Sequence, residues 1–329
     1  MSDPRLTSDF FIRNVSTLGR SSDLLPFLKP TAAITLACLL CSTAAHAHEY
    51  WLDPLDTVLA PNKRLLVDAR NGQDFVGSAF PYDPSRFSSA VFKGPTGTQA
   101  ITSDLGDYPA FHVVPTQSGT YQLAITTTQN LLAYKTRDDF DEFLDYHGFD
   151  NAELKASLIN QTIKENEGSK AAELPEFNIQ EGYYRYAKTF VRVTDDDNNE
   201  TSTDHQQPLE HKAEHSPEHN PEHNLGLTTE HTLELTPRTD PTLCAQTLEL
   251  TLTYQQSPVA NRQVEVFYRD ASDDKTLTRS LSRTSDTGKT TIDTARSGDY
   301  LVNSVIIDTP DRPGLNLTSH WASLTFSCQ

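Results

Sequence analysis

The sequence predicts a mainly β protein with two β-sandwich domains in tandem. The first carries an inserted helical hairpin and the second is immunoglobulin-like. Three observations predict this. Short alternating runs, rich in Thr, aliphatic and aromatic residues, are separated by Gly, Pro, Asp and Asn clusters. One segment, 137–167, changes to a helical period. Another, 195–231, has almost no apolar content and cannot bury a core, so it divides the chain as a disordered Glu/His-rich linker.

The first 47 residues read as a signal peptide. Arg5, Arg13, Arg20 and Lys29 precede the apolar TAAITLACLLCSTAA of 31–45. That stretch is too short to span a bilayer as a stable helix and has the length of a signal-peptide core. Cleavage after Ala47, at AHA, leaves His48 first; cleavage after Ala45, at TAA, leaves His46 first. The expected product is periplasmic and soluble, with no membrane insertion once the signal is removed.

From 48 to 194 the first sandwich is read from RLLVDA (64–69), SSAVFKGP (88–95), AFHVVP (110–115) and GTYQLAITTT (119–128). Its helical insertion opens with Phe140, Phe143, Leu144 and His147 at i, i+3, i+4 and i+7. Asp138 and Asp139 favour the helix start and Gly148 its stop. A second helix follows with Leu154, Leu158 and Ile163 inward, and GYYRYAKTFVRV (182–193) returns to strand. After the linker, 232–329 holds QTLELTLTY (246–254), QVEVFYRD (263–270), GDYLVNSVIID (298–308) and HWASLTFS (320–327). About 95 residues of such strands suit an immunoglobulin-like sandwich.

Charge narrows the partners. With 27 Lys+Arg against 45 Asp+Glu, the formal net charge is −18. Nucleic acid and anionic lipid would repel such a chain, whereas cations would gather on it. Loss of residues 1–47 leaves two cysteines, Cys244 and Cys328, and an oxidising compartment predicts one structural disulfide between them.

The candidate chemistry is metal binding. A chain beginning at His48 presents an α-amine and an imidazole on one residue, a bidentate grip that a second histidine would complete. A chain beginning at His46 reads His-Ala-His, whose amine, two amides and third-residue imidazole can enclose Ni(II) or Cu(II) in a square plane. The linker adds Glu-His pairs at His211, His215, His219, His223 and His231, with His205 upstream, as a flexible string of weak donors for divalent ions. Pro217 and Pro221 prevent one helix from aligning them. His112, between Phe111 and Val113, is a candidate second ligand, although a hydrogen-bonded structural role is the commoner one. His147, at a helix C-terminus, is expected to pack and cap, with ligation as the alternative. His320 beside Trp321 is expected to be structural, and Glu49 and Asp53 could add an oxygen ligand. No phosphate-binding Gly loop, G-x-S-x-G, H-E-x-x-H or C-x-x-C occurs, and no catalytic residue is assigned.

The order AHAHEYWLDP, FDEFLDYHGFD, YYRYAKTFVRV, LELTPRTDPT, TSDTGKTTI and HWASLTF resembles a family of exported proteins described as periplasmic components of ABC-type cobalt/nickel transport systems. The resemblance spans nearly all of 45–329. It implies a periplasmic β-sandwich protein linked to nickel or cobalt acquisition, working beside a metal transporter of the inner or outer membrane. Only His48 carries over as a ligand, and the long Glu-His linker is a departure. The expected function is therefore transition-metal binding in uptake or buffering, not catalysis. Nickel or cobalt is favoured, with copper and zinc chemically possible. Two alternatives stand beside it: a copper-dependent oxidative enzyme built on an N-terminal histidine, and a non-catalytic adhesion or scaffold module.

Overall fold

Alternating apolar and polar residues become strands through most of the chain. The computed structural model describes residues 48–149, 156, 178–195, 229, 231–272 and 277–329. The signal segment with His46, all but Ala156 of the expected second helix, and His205, His211, His215, His219 and His223 lie outside the described residues.

The front half contains β1 (Glu49–Pro54), β2 (Val58–Leu59), β3 (Leu65–Gln73), β4 (Val76–Phe80), β5 (Phe87–Gly94) and β6 (Gly97–Ala100). It continues with β7 (Phe111–Val113), β8 (Gly119–Thr127), β9 (Asn130–Tyr134), helix α1 (Arg137–Tyr146) and the long β10 (Ile179–Val193). The rear half contains β11 (Leu233–Pro237), β12 (Thr247–Tyr254), β13 (Ser257–Pro258) and β14 (Gln263–Asp270). It ends with β15 (Leu277–Arg283), β16 (Lys289–Asp293), β17 (Gly298–Asp308) and β18 (Leu317–Cys328).

The two halves share one sheet. A ten-stranded sheet runs β15-β14-β17-β18-β10-β8-β5-β6, with β2 and β9 also paired to β10. The join between the halves is parallel, from Glu181 opposite Leu317 to Thr189 opposite Thr325. Sheet β1-β3-β4, with β7 on β3, covers one face of it; sheet β11-β12-β13, with β16 on β12, covers the other. Side-chain alternation makes this possible. Along β18, Ala322, Leu324 and Phe326 enter a core with Leu248, Leu250 and Leu252 of β12. The intervening Ser323 and Thr325 turn the other way and donate to the carbonyls of Tyr50 and Leu52, both at 2.6 Å. Along β10, Tyr186 and Phe190 join that rear core, while Ala187, Val191 and Val193 join Leu52, Leu65, Val67 and Phe111 in front. Strands covered on both faces read as near-continuous buried runs, as β17 and β18 do. The segments 48–194 and 232–329 thus contribute to a common central layer, and from Ala45 onward the chain clusters as a single unit.

Two expectations are corrected here. His231, grouped above with the linker donors, is only 9% exposed and packs against the Tyr186 ring. Burial, and then the charge of Lys188, push its imidazole down to about 3, so it stays neutral. It borders a buried ion pair, Lys188 Nζ to Glu234 Oε1 at 2.7 Å. The expected Cys244–Cys328 bridge is not formed: both are thiols, although they lie in contact. Burial raises the Cys328 thiol first, and a hydrogen bond with Cys244 raises it further.

Helix α1 follows its local sequence closely. Thr136 caps the N-terminus by accepting from the Asp139 amide, and Phe140, Phe143 and Leu144 are buried. At the other end the Phe149 amide donates to Leu144 O at 2.7 Å and the Gly148 amide to Asp145 O at 3.1 Å. That is the paired Schellman closure, and Gly148 supplies its left-handed φ of 69°. His147 is thereby fixed as the C-cap.

Beside α1, Glu181 on β10 is fully buried and accepts from Tyr134 Oη at 2.7 Å and from Ser319 Oγ. Burial raises its carboxyl to about 7, against the pull of those hydrogen bonds and of Arg185. A raised carboxyl keeps its proton in the folded state while the unfolded chain has already lost it. Stability therefore falls as pH rises from about 4.5 to about 7. Glu181→Gln is expected to remove about 3 kcal/mol of that decline, read from urea midpoints across the window.

A candidate cation cleft at the start of the folded chain

The first described residues, the end of α1 and the β14–β15 hairpin meet in one place. A small cleft of about 20 Å³ is lined by His48, Glu49, Gln73, Glu142, Phe143, Tyr146 and His147. Two of the histidines singled out from sequence, His48 and His147, are thus brought together although 99 positions separate them.

Each side chain is placed by local structure. Glu49 opens β1, opposite Gly72 of β3, and like Trp51 two residues on it is turned inward and 1% exposed. Its Oε2 is buried without a hydrogen-bond partner. Burial, then the charges of Glu265 and Asp74, push its carboxyl up to about 8 against the opposing charge of Arg279. On α1, Glu142 and Tyr146 stand at i and i+4, as do Phe143 and His147, so one helix end supplies four lining residues. Arg185 Nη2 donates to the His48 carbonyl at 3.0 Å and to Asn71 Oδ1 at 3.1 Å, which pins the chain entering β1.

His147 is oriented by the rear half. Its Nδ1 lies 2.9 Å from Glu265 Oε1, both side chains nearly fully buried, and Trp321 stands edge-on to the ring at 4.8 Å. Burial alone would raise the Glu265 carboxyl. His147, Asn303 and Arg279 together outweigh it and hold the group at about 2. A carboxylate on Nδ1 directs the imidazole to offer Nε2, the arrangement that backs metal-ligating histidines. The helix end is held by three more donors: Arg262 to His147 O, and Gln263 Nε2 and Arg279 Nη2 to Tyr146 O, both at 2.9 Å.

The cleft offers two imidazoles and two carboxyl groups, one of them with an orphaned oxygen, the donor types that a borderline divalent ion takes. Among the described residues no three His, Cys, Asp or Glu side chains already converge to ligating distance, so an ion would have to draw them in. His112 takes no part. It is exposed on β7, 3.7 Å from Asp107, and faces Leu66, six residues along β3 from the partner of Glu49. His320 is structural, stacked between Tyr184 and Tyr186 with Nδ1 at 3.0 Å from Tyr186 Oη. Asp53 is also structural, paired to Arg70 and Arg269.

Sequence reasoning gave too little weight to Glu49 and missed Glu142, Arg185, Glu265 and Arg279. Glu49 did carry a signal, because two-residue alternation with Trp51 turns it inward. Glu142 shares a helical stripe with Tyr146. Nothing local marks the other three.

The fold and the cleft define a mainly β protein with a histidine–carboxyl pocket beside its first described strand. The chain belongs to the DUF4198 family, a domain of unknown function, which matches residues 45–228. No curated protein matches it. Among solved structures it is similar to the D0-D1 domain of intimin, at 11% identity and a TM-score of 0.19, covering 84% of this chain and 97% of that one. It is similar also to a tetra-tandem repeat in the extending region of a large adhesion protein, at 10% identity and a TM-score of 0.18, covering 85% and 50%. Among the described residues no helix is long and apolar enough to cross a membrane.

Proposed function

We propose that this protein is a periplasmic carrier or buffer for a transition-metal ion, nickel or cobalt, and not an enzyme. The observation that carries the reading is Glu49 Oε2. A buried carboxyl oxygen without a hydrogen-bond partner costs free energy that a cation taking the place of the carboxyl proton would recover, and it lies in a cleft with His48, Glu142 and a carboxylate-backed His147. In this reading His48 and His147 supply nitrogen, Glu49 and Glu142 supply oxygen, and an α-amine at His48 would add a further donor after signal removal. The Glu-His tract serves as a low-affinity collector. The resemblance at the signal junction favours nickel or cobalt as cargo, with a metal transporter as the receiving partner.

One sample tests this: protein purified from periplasm, weighed intact under native and denaturing conditions and analysed for metal. The expected result is a chain starting at His48 or His46 with one equivalent of nickel or cobalt. A chain retaining upstream residues, or metal that disappears only when 205–231 is deleted, would leave the tract as the sole metal-binding element. Copper with peroxide turnover would instead select the oxidative enzyme, and a metal-free chain the scaffold module.

A further inference from the structure

Of the guanidinium groups that bind residues lining the cleft, Arg185 and Arg279 are held very differently. Arg185 is nearly fully buried between the rings of Tyr183 and Tyr50, 4.7 and 5.4 Å away, and is bound to the His48 carbonyl and Asn71. It has nowhere to go. Arg279 sits on β15, the edge strand of the ten-stranded sheet, with its side chain 26% exposed and its guanidinium 3.9 Å from the Tyr146 ring centre. Its Nη2 donates to Glu265 Oε1 at 3.1 Å and to Tyr146 O at 2.9 Å, a carbonyl that Gln263 Nε2 holds as well. Glu265 Oε1 also receives His147 Nδ1 at 2.9 Å and Gln263 Nε2 at 3.1 Å. Three donors share an oxygen with two lone pairs, so Arg279 draws carboxylate charge away from His147. Its charge also reaches Glu49, where it opposes the acidic neighbours.

We infer that Arg279 is a displaceable counter-cation of the cleft, neutralising Glu265 beneath His147 in the metal-free protein so that a bound cation is held less tightly than its ligands alone would allow. This rests on the reading of the cleft as a cation site. A metal ion entering beside His48 and His147 is repelled by the guanidinium and meets an imidazole whose backing carboxylate is shared. Both effects weaken binding, which suits a protein that must surrender its cargo. Exposure at the sheet edge gives the side chain room to swing outward as the ion enters.

The test is calorimetric titration of the full processed chain with Ni(II), and a chelator chase for the release rate. Arg279→Gln is expected to bind about tenfold more tightly than wild type, mainly through slower release. Arg279→Lys keeps the charge and is expected to stay within about twofold of wild type. A clamp acting only on structure would weaken binding in both variants and tighten it in neither. Equal or weaker binding by Arg279→Gln, with wild type binding normally, overturns the counter-cation and leaves the cleft standing. Failure of wild type to bind overturns both. Should Arg279→Gln fail to fold, Arg279→Met removes the same charge while keeping the stem on Tyr146, and it is read by the same criteria.

Discussion

Replacing Glu265 with alanine is expected to destabilise the protein by about 3–5 kcal/mol, the cost of opening a buried ion-paired network from one side. Its Oε1 receives His147, Gln263 and Arg279, and its Oε2 receives Asn303 Nδ2 at 2.8 Å. Truncation leaves all four donors facing a void between β14 and the end of α1. Because Gln263 and Arg279 also hold the Tyr146 carbonyl, the helix end should loosen with the core. Urea unfolding at neutral pH checks the magnitude, and amide exchange at Leu144–Phe149 checks the location. The pH dependence has a definite sign. Glu265 titrates at about 2 folded against 4.5 as the ordinary value, so its contribution is complete above about 4.5 and is lost as pH falls through about 2. That contribution is about 3 kcal/mol, and the gap between wild type and Glu265→Ala should narrow by that amount on acidification. A gap that stays constant from neutral pH to the acid limit would show that Glu265 acts by packing alone.

Replacing His48 with alanine is expected to weaken nickel binding by about a hundredfold or more and leave the fold intact. Arg185 holds the backbone carbonyl of His48, a contact that truncation of the side chain does not touch. The cleft would retain Glu49, Glu142 and His147 but lose the one imidazole that can act together with a terminal amine. Unchanged affinity in the processed variant would place the ordered site elsewhere and remove the main support for a terminal metal grip.

The two expected outcomes draw on different kinds of information. His48 was legible because the AHAHE junction and the alternation of β1 are local, and the same holds for the α1 stripe, its Thr136 cap and its Gly148 stop. Glu265 and Arg279 were not legible. Their strands read as alternating or polar runs, and their partners in the helix lie more than 100 positions away. His231 was misread for a related reason. A Glu-His pair looks the same in a linker and at the first residue of a core, and only Tyr186 and Lys188 from β10 distinguish them.

By itself the sequence determined the mainly β class, the capped helix α1, the acidic character and the histidine that precedes β1. These depend on side-chain period, capping residues and charge, which act over a few positions. Tertiary structure alone decided that the two halves share a sheet. Parallel pairing of β10 with β18 joins residues more than 130 positions apart, and neither strand carries a local signal that selects the other. It also decided that His48 and His147 face one another, because the β14–β15 hairpin fixes the helix end through Arg262, Gln263, Glu265 and Arg279. No local pattern encodes a contact whose free energy arises only when distant segments exclude water together.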